Sequence, residues 1–250
     1  MLNNKTRMVC TIGPASNSPE VISDLIKAGM NVARLNFSHG TREDHLKTAE
    51  MIKQIRQELQ SPIALMLDTK GPEIRIKTFK QSSIELKPQQ LFTLTSRDVE
   101  GTSEIVSVTY EDLTSCLEIG TKVLIDDGLI ELVVEDLTAT DIICRVVNGG
   151  ILSDKKSINL PGIKIDMPYL DEKDTLDIAL AYENNFDYIA LSFVRTAKDV
   201  LLVKRLFSNR GQSSCKLLAK IENVIILNPT TIAAIGINFI IPFAVFLEAK

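Results

Sequence analysis

The strongest constraint on what this chain can fold into is a strand–helix alternation that breaks off near Lys70 and resumes after Pro168. Met8 to Ile12 reads as a short strand. Ser18 follows as a helix N-cap with Pro19 at the first helical position, and Gly29 ends that helix. Asn31 to Phe37 is the next strand. A second helix starts near Thr41, carries Leu46, Ala49, Ile52, Ile55 and Leu59 as its apolar stripe, and stops before Pro62. Ile63 to Leu67 is a third strand. Such a βαβαβ order predicts a parallel sheet or barrel covered by helices.

Between Gly71 and Met167 the helical period disappears. Lys122–Ile125, Leu129–Val134 and Asp141–Val147 are strand-like, with Asp126-Asp127-Gly128 and Asn148-Gly149-Gly150 as turn signals. This predicts a small all-β domain set into an α/β domain. The alternation then returns: a helix from about Glu172 to Tyr182, a strand at Asp187 to Val194, a helix at Thr196 to Phe207, and a strand ending at Glu222. The predicted layout is residues 1–70 with 168–223 as a partial (β/α) barrel of about five strands. Residues 71–167 form the inserted β domain, and 224–250 an apolar tail.

Three strand ends carry polar groups. The second holds Arg34, Asn36 and Ser38, the third Asp68-Thr69-Lys70 with Glu73 and Arg75 beyond, and the fifth Lys220 and Glu222. Alternate residues of a strand share a face, so Lys220 and Glu222 point the same way. An ammonium beside a carboxylate suits phosphoryl transfer, with the carboxylate on a divalent cation and the lysine on the moving group. In βα barrels, catalytic groups gather where strands end, because the loops there vary without disturbing the core. Each signal also has an ordinary reading. Arg34 could be a salt-bridged surface arginine, Asn36 and Ser38 turn residues, Asp68-Thr69 a strand cap, and Lys220–Glu222 a structural ion pair. His39 reads as a loop histidine against backbone, and His45 as a solvated helix residue.

A net charge of −4 and a pI near 5.4 argue against nucleic acid or an anionic membrane as the main partner. Cys10, Cys116, Cys144 and Cys215 form no CxxC pair, which disfavours a disulfide framework or a zinc site. Met1 to Thr11 does not read as a signal peptide, so a cytoplasmic location is expected.

The segments Thr11-Ile12-Gly13-Pro14-Ala15-Ser16, Asn31 to Gly40, Leu67 to Arg75, Asn159-Leu160-Pro161-Gly162, Ser192-Phe193-Val194-Arg195 and Leu218 to Asn223 together resemble the pyruvate kinase family, in order and spacing. The resemblance covers about residues 5–223. It implies a (β/α)₈ barrel interrupted after its third strand by a small β domain, and phosphoryl transfer from phosphoenolpyruvate to ADP in glycolysis. It also implies Mg²⁺ (or Mn²⁺) and K⁺ as cofactors, and usually a homotetramer. By the same resemblance, Arg34 holds the substrate phosphate and Lys220 stabilises the transferring phosphoryl group. Glu222 is a Mg²⁺ ligand, and Asn36, Ser38, Asp68 and Thr69 ligate K⁺ with Ser192 nearby. Asn36, His39, Arg75 and Lys156 lie on the nucleotide side.

The motifs stop at Asn223. Of the 27 residues 224–250, 18 are apolar and only Glu248 and Lys250 are charged. The expectation is a reading-frame change or truncation that costs the chain its second metal carboxylate and leaves it impaired. A membrane anchor at 230–247 and a buried tail helix are the alternatives. The competing function is a non-catalytic chain that binds phosphorylated ligands or a full-length subunit.

Overall fold

The computed structural model describes residues 6–163, 165–207, 215–221 and 238–240. In chain order the elements begin with β1 (Met8–Thr11), α1 (Pro19–Lys27), β2 (Met30–Asn36), α2 (Arg42–Glu58) and β3 (Ala64–Asp68). A run of short strands follows: β4 (Ile74–Arg75), β5 (Ser83–Leu86), β6 (Leu91–Thr95), β7 (Ile105–Ser107), β8 (Lys122–Ile125), β9 (Ile130–Leu137), β10 (Asp141–Asn148), β11 (Gly150–Ser153) and β12 (Ser157–Asn159). The remaining described elements are α3 (Glu172–Glu183), β13 (Tyr188–Leu191), α4 (Ala197–Phe207), β14 (Lys216–Lys220) and β15 (Asn238–Ile240). It divides into two compact units, one comprising Met1–Pro72 with Pro168–Lys250 and the other Glu73–Met167.

The first unit is a parallel sheet in the order β1-β2-β3-β13-β14-β15. As expected for an incomplete (β/α) barrel, β3 and β13 are neighbours although the second unit lies between them in sequence. Local chemistry sets the helix starts. The Ser18 hydroxyl accepts the Val21 amide, Pro19 opens α1, and the Thr41 hydroxyl accepts the Asp44 amide at the head of α2. One helix face packs on the sheet: Ile22 and Ile26 from α1, Ala49, Ile52 and Ile55 from α2, and Ile178 and Ala181 from α3. These meet Ala33, Leu35, Leu65, Leu67, Ile189 and Leu191 from the strands. Leu59 leaves the stripe. It is the C-cap of α2, where the helical period ends, and it is exposed.

Two boundaries differ from the sequence reading. The strand expected over 187–194 stops at Leu191, because Phe193 turns into the left-handed region with φ +54° and cannot continue a strand. A sixth strand, β15, pairs in parallel with β14 (Leu218↔Asn238, Lys220↔Ile240). Part of the segment set aside as a tail therefore belongs to the barrel sheet. Its continuous apolar character, which suggested an anchor or a helix, also suits a parallel strand.

The second unit is mainly antiparallel: a seven-stranded sheet in the order β4-β12-β8-β9-β10-β6-β7, and a two-stranded sheet of β5 and β11. Burial alternates along β9 and β10, the signature of a sheet covered on one face. Val123, Ile125, Leu132, Val134, Ile142, Cys144 and Val146 point into a core shared with Phe92, Leu94 and Val106. No helix among the described residues is long and apolar enough to cross a membrane.

Candidate active site at the strand ends

The strand register brings the polar ends of the first unit together. Thr11 pairs with Arg34, Asn36 with Asp68, and Asp68 with Ala190. Backbone bonds carry the pairing past the last strand residues: the Phe37 amide donates to Asp68 O at 3.0 Å, and the Val194 amide to Lys220 O at 3.1 Å.

Asp68 is the charged centre of this rim. Its side chain is 2 % exposed, against 14 % for Arg34 and 15 % for Lys220. Arg34 donates from Nε to Asp68 Oδ2 at 2.6 Å, and from Nη1 to Thr11 Oγ1 at 2.7 Å. Lys220 Nζ donates to both Asp68 oxygens, at 3.1 and 3.3 Å, and to Ser192 Oγ at 3.0 Å. The Ser192 hydroxyl lies 2.6 Å from Thr69 O and 3.1 Å from Asp68 Oδ1, and its amide donates to Thr69 Oγ1 at 3.0 Å. Two cations share one carboxylate, so these three side chains together carry one net positive charge. Desolvated charges of this kind survive only when paired and hydrogen-bonded, and the geometry meets that condition.

The loop after β2 is ordered differently. Asn36 Oδ1 accepts the Ser38 amide at 3.1 Å, so Ser38 sits in a turn beyond the strand and does not continue the face of Arg34 and Asn36. His39 is exposed, and its carbonyl lies 2.7 Å from His45 Nε2. His45 is half-buried and stacks on Phe37 with ring centroids 4.1 Å apart. The sequence reading of His45 as solvated is thereby corrected: the ring of Phe37, eight residues earlier in the chain, gives it an apolar seat. Glu222 lies outside the described residues.

Four contributors had no role of their own in the sequence reading. Thr11, the last residue of β1, was detectable as a polar strand end. Tyr169, Asp174 and Gly71 were not, because their partners are distant in sequence. Asp174 is 1 % exposed, and its Oδ2 accepts the Gly71 amide at 3.0 Å. No hydrogen-bond donor among the described residues reaches its Oδ1. Burial, reinforced by the Asp171 carboxylate, raises its pKa to about 6, against the opposing pull of the Gly71 amide, Lys173 and Lys70.

The family follows from comparison with known proteins. The sequence model of the pyruvate kinase barrel domain matches residues 3–231. The chain belongs to the pyruvate kinase family. It is 45 % identical to a pyruvate kinase of Staphylococcus saprophyticus over 221 residues, covering 88 % of this chain and 38 % of that protein. A pyruvate kinase of Staphylococcus haemolyticus is 44 % identical over the same span. The crystal structure of a pyruvate kinase from Cryptosporidium parvum superposes with a TM-score of 0.79 and 40 % identity, over 88 % of this chain and 46 % of that one. The chain thus spans about two fifths of the length of the curated pyruvate kinases it matches.

The remaining residues that the pyruvate kinase motifs single out lie in the second unit, on neighbouring strands. Arg75 pairs with Ser157, and Ile158 with Ile125. Arg75 donates from Nε to Glu73 Oε2 at 2.8 Å and from Nη1 to Lys155 O at 2.6 Å. Lys156 Nζ lies 2.9 Å from Asp126 Oδ1. Asp126, Asp127 and Lys155 all hold positive φ, between 54° and 58°. Asp126 and Asp127 turn the chain between β8 and β9, where aspartate tolerates a positive φ.

Proposed function

We propose that the strand-end site binds the phosphoryl group of phosphoenolpyruvate for transfer to ADP, the reaction of glycolytic pyruvate kinase in the cytoplasm. The observation that carries this reading is Asp68 holding the Arg34 guanidinium and the Lys220 ammonium at one rim. Phosphoryl transfer needs charge neutralisation and positioning more than covalent help from the protein. Asp68 supplies the positioning: it keeps two cations close that would otherwise repel. Arg34, a planar fork, suits a phosphate oxygen pair. Lys220 carries a compact charge suited to the group in flight.

Asn36, Ser38, Asp68 and Thr69 offer only oxygen donors, and Asn36 and Asp68 are paired in register. Such a set fits a hard monovalent cation such as K⁺. No group of three His, Cys, Asp or Glu side chains poised for a metal occurs among the described residues. By the pyruvate kinase motif, Glu222 together with substrate oxygens would hold a divalent ion, which would withdraw charge from the phosphoryl group. Arg75, Lys156 and His39 are assigned to the nucleotide phosphates.

The test is phosphoenolpyruvate binding to the full chain in MgCl₂ and KCl, followed by a lactate dehydrogenase-coupled assay with ADP. Arg34→Ala should weaken binding at least about tenfold, as expected for a charge-assisted phosphate contact. Lys220→Ala should abolish any turnover while leaving measurable binding. Wild-type affinity in Arg34→Ala would refute the assignment.

A further inference from the structure

Ser192 links the groups of the strand-end site, yet no strand holds it. It is the first residue after β13, and the next residue, Phe193, sits at φ +54°. A bulky side chain there is sterically disfavoured, so something must hold the Ser192–Phe193 peptide in place. Two buried groups do so. The Tyr169 hydroxyl donates to Ser192 O at 3.0 Å, and Tyr169 is only 5 % exposed. Gly71 presses on the same carbonyl: a Cβ added there would lie 2.7 Å from Ser192 O. Gly71 is held in turn by Asp174 Oδ2, and Asp174 is fixed in the first turn of α3, where its amide donates to the N-cap Asp171 at 2.6 Å.

We propose that Tyr169 and Asp174 are positioning residues for the strand-end site, orienting Ser192 so that its hydroxyl receives Lys220. The proposal rests on the reading of that site as a phosphoryl-group site. The geometry gives each a distinct task. Tyr169 fixes the Ser192 carbonyl directly. Asp174 fixes the chain leaving Thr69, whose carbonyl and hydroxyl take the Ser192 hydroxyl and amide. With Ser192 displaced, the Lys220 ammonium loses one of its three oxygen contacts and is left to Asp68 alone among these partners.

The test uses Tyr169→Phe, Asp174→Asn and Asp174→Ala in the full chain. Two quantities are read: the ¹H–¹⁵N amide signals of Thr69, Gly71, Ser192 and Phe193, and phosphoenolpyruvate affinity in MgCl₂ and KCl. Tyr169→Phe removes only the hydroxyl, and should shift the Ser192 and Phe193 amides and weaken binding about fivefold, the equivalent of one hydrogen bond. Asp174→Asn keeps an acceptor for Gly71 and should stay close to wild type, whereas Asp174→Ala should shift Gly71 and Thr69 and weaken binding. Unmoved Ser192 and Phe193 amides with wild-type affinity in Tyr169→Phe would overturn the proposal. If the wild type itself does not bind phosphoenolpyruvate, the phosphoryl reading falls, and the amide shifts still decide whether these residues position Ser192.

Discussion

Replacing Asp174 by Asn should stabilise the first unit above neutral pH and leave it little changed near pH 4. The carboxyl is 1 % exposed, one oxygen accepts the Gly71 amide, and the other meets no donor among the described residues. Its pKa rises from the ordinary 3.8 to about 6, chiefly through burial. A rise of about two units corresponds to roughly 3 kcal/mol, at 1.36 kcal/mol per unit. Because the folded pKa is the higher one, the folded chain binds the proton more tightly than the unfolded chain. Stability from this group is complete below about pH 4 and is lost as pH rises through 6. Asparagine keeps the shape and an acceptor for Gly71 but carries no charge, so the variant lacks this loss. The stability difference between variant and wild type should therefore grow by about 3 kcal/mol between pH 4 and pH 8. At an m-value of about 2 kcal/mol/M, that is a shift of roughly 1.5 M in the urea midpoint. Circular dichroism at the helical band suits the measurement, since the four α-helices among the described residues belong to the unit that contains Asp174. Taking the difference at each pH cancels the other carboxylates. A difference that stays flat from pH 4 to 8, or grows toward acid, would refute the reasoning.

Two further outcomes follow from the same region. Gly71→Ala should destabilise the first unit by at least about 1–2 kcal/mol, because φ is +69° there and the new methyl group would meet Ser192 O; the urea midpoint measures it, and an unchanged midpoint contradicts the packing described. Asp68→Asn removes the carboxylate that Arg34 and Lys220 share, and should cost about 3–5 kcal/mol. Millimolar inorganic phosphate should recover part of that loss as a raised thermal midpoint, and equal response of wild type and variant would count against the cationic reading.

Much of the fold could be read locally. Ser18 and Thr41 cap their helices through side-chain bonds to amides three residues on, which is a property of short sequence. Arg34, Asp68 and Lys220 were identifiable because each is a charge at or near the end of an apolar strand, and parallel strands of one barrel end on one side. The end of β13 was missed because Val194 continues the apolar run. The conformation of Phe193 is fixed by contacts to Ser192 from residues far away in the chain.

The sequence by itself determined the parallel α/β framework, the all-β insertion and the strand ends that carry charge, since these follow from residue period and turn chemistry. Only the tertiary structure decided that one carboxylate, Asp68, would gather Arg34 and Lys220, and that Ser192 would join them. It also decided that Asp174 would be buried against Gly71, 103 residues away. The physical reason is that burial and charge pairing depend on which distant segments pack together, and a buried carboxyl acquires its pKa and its role from those neighbours.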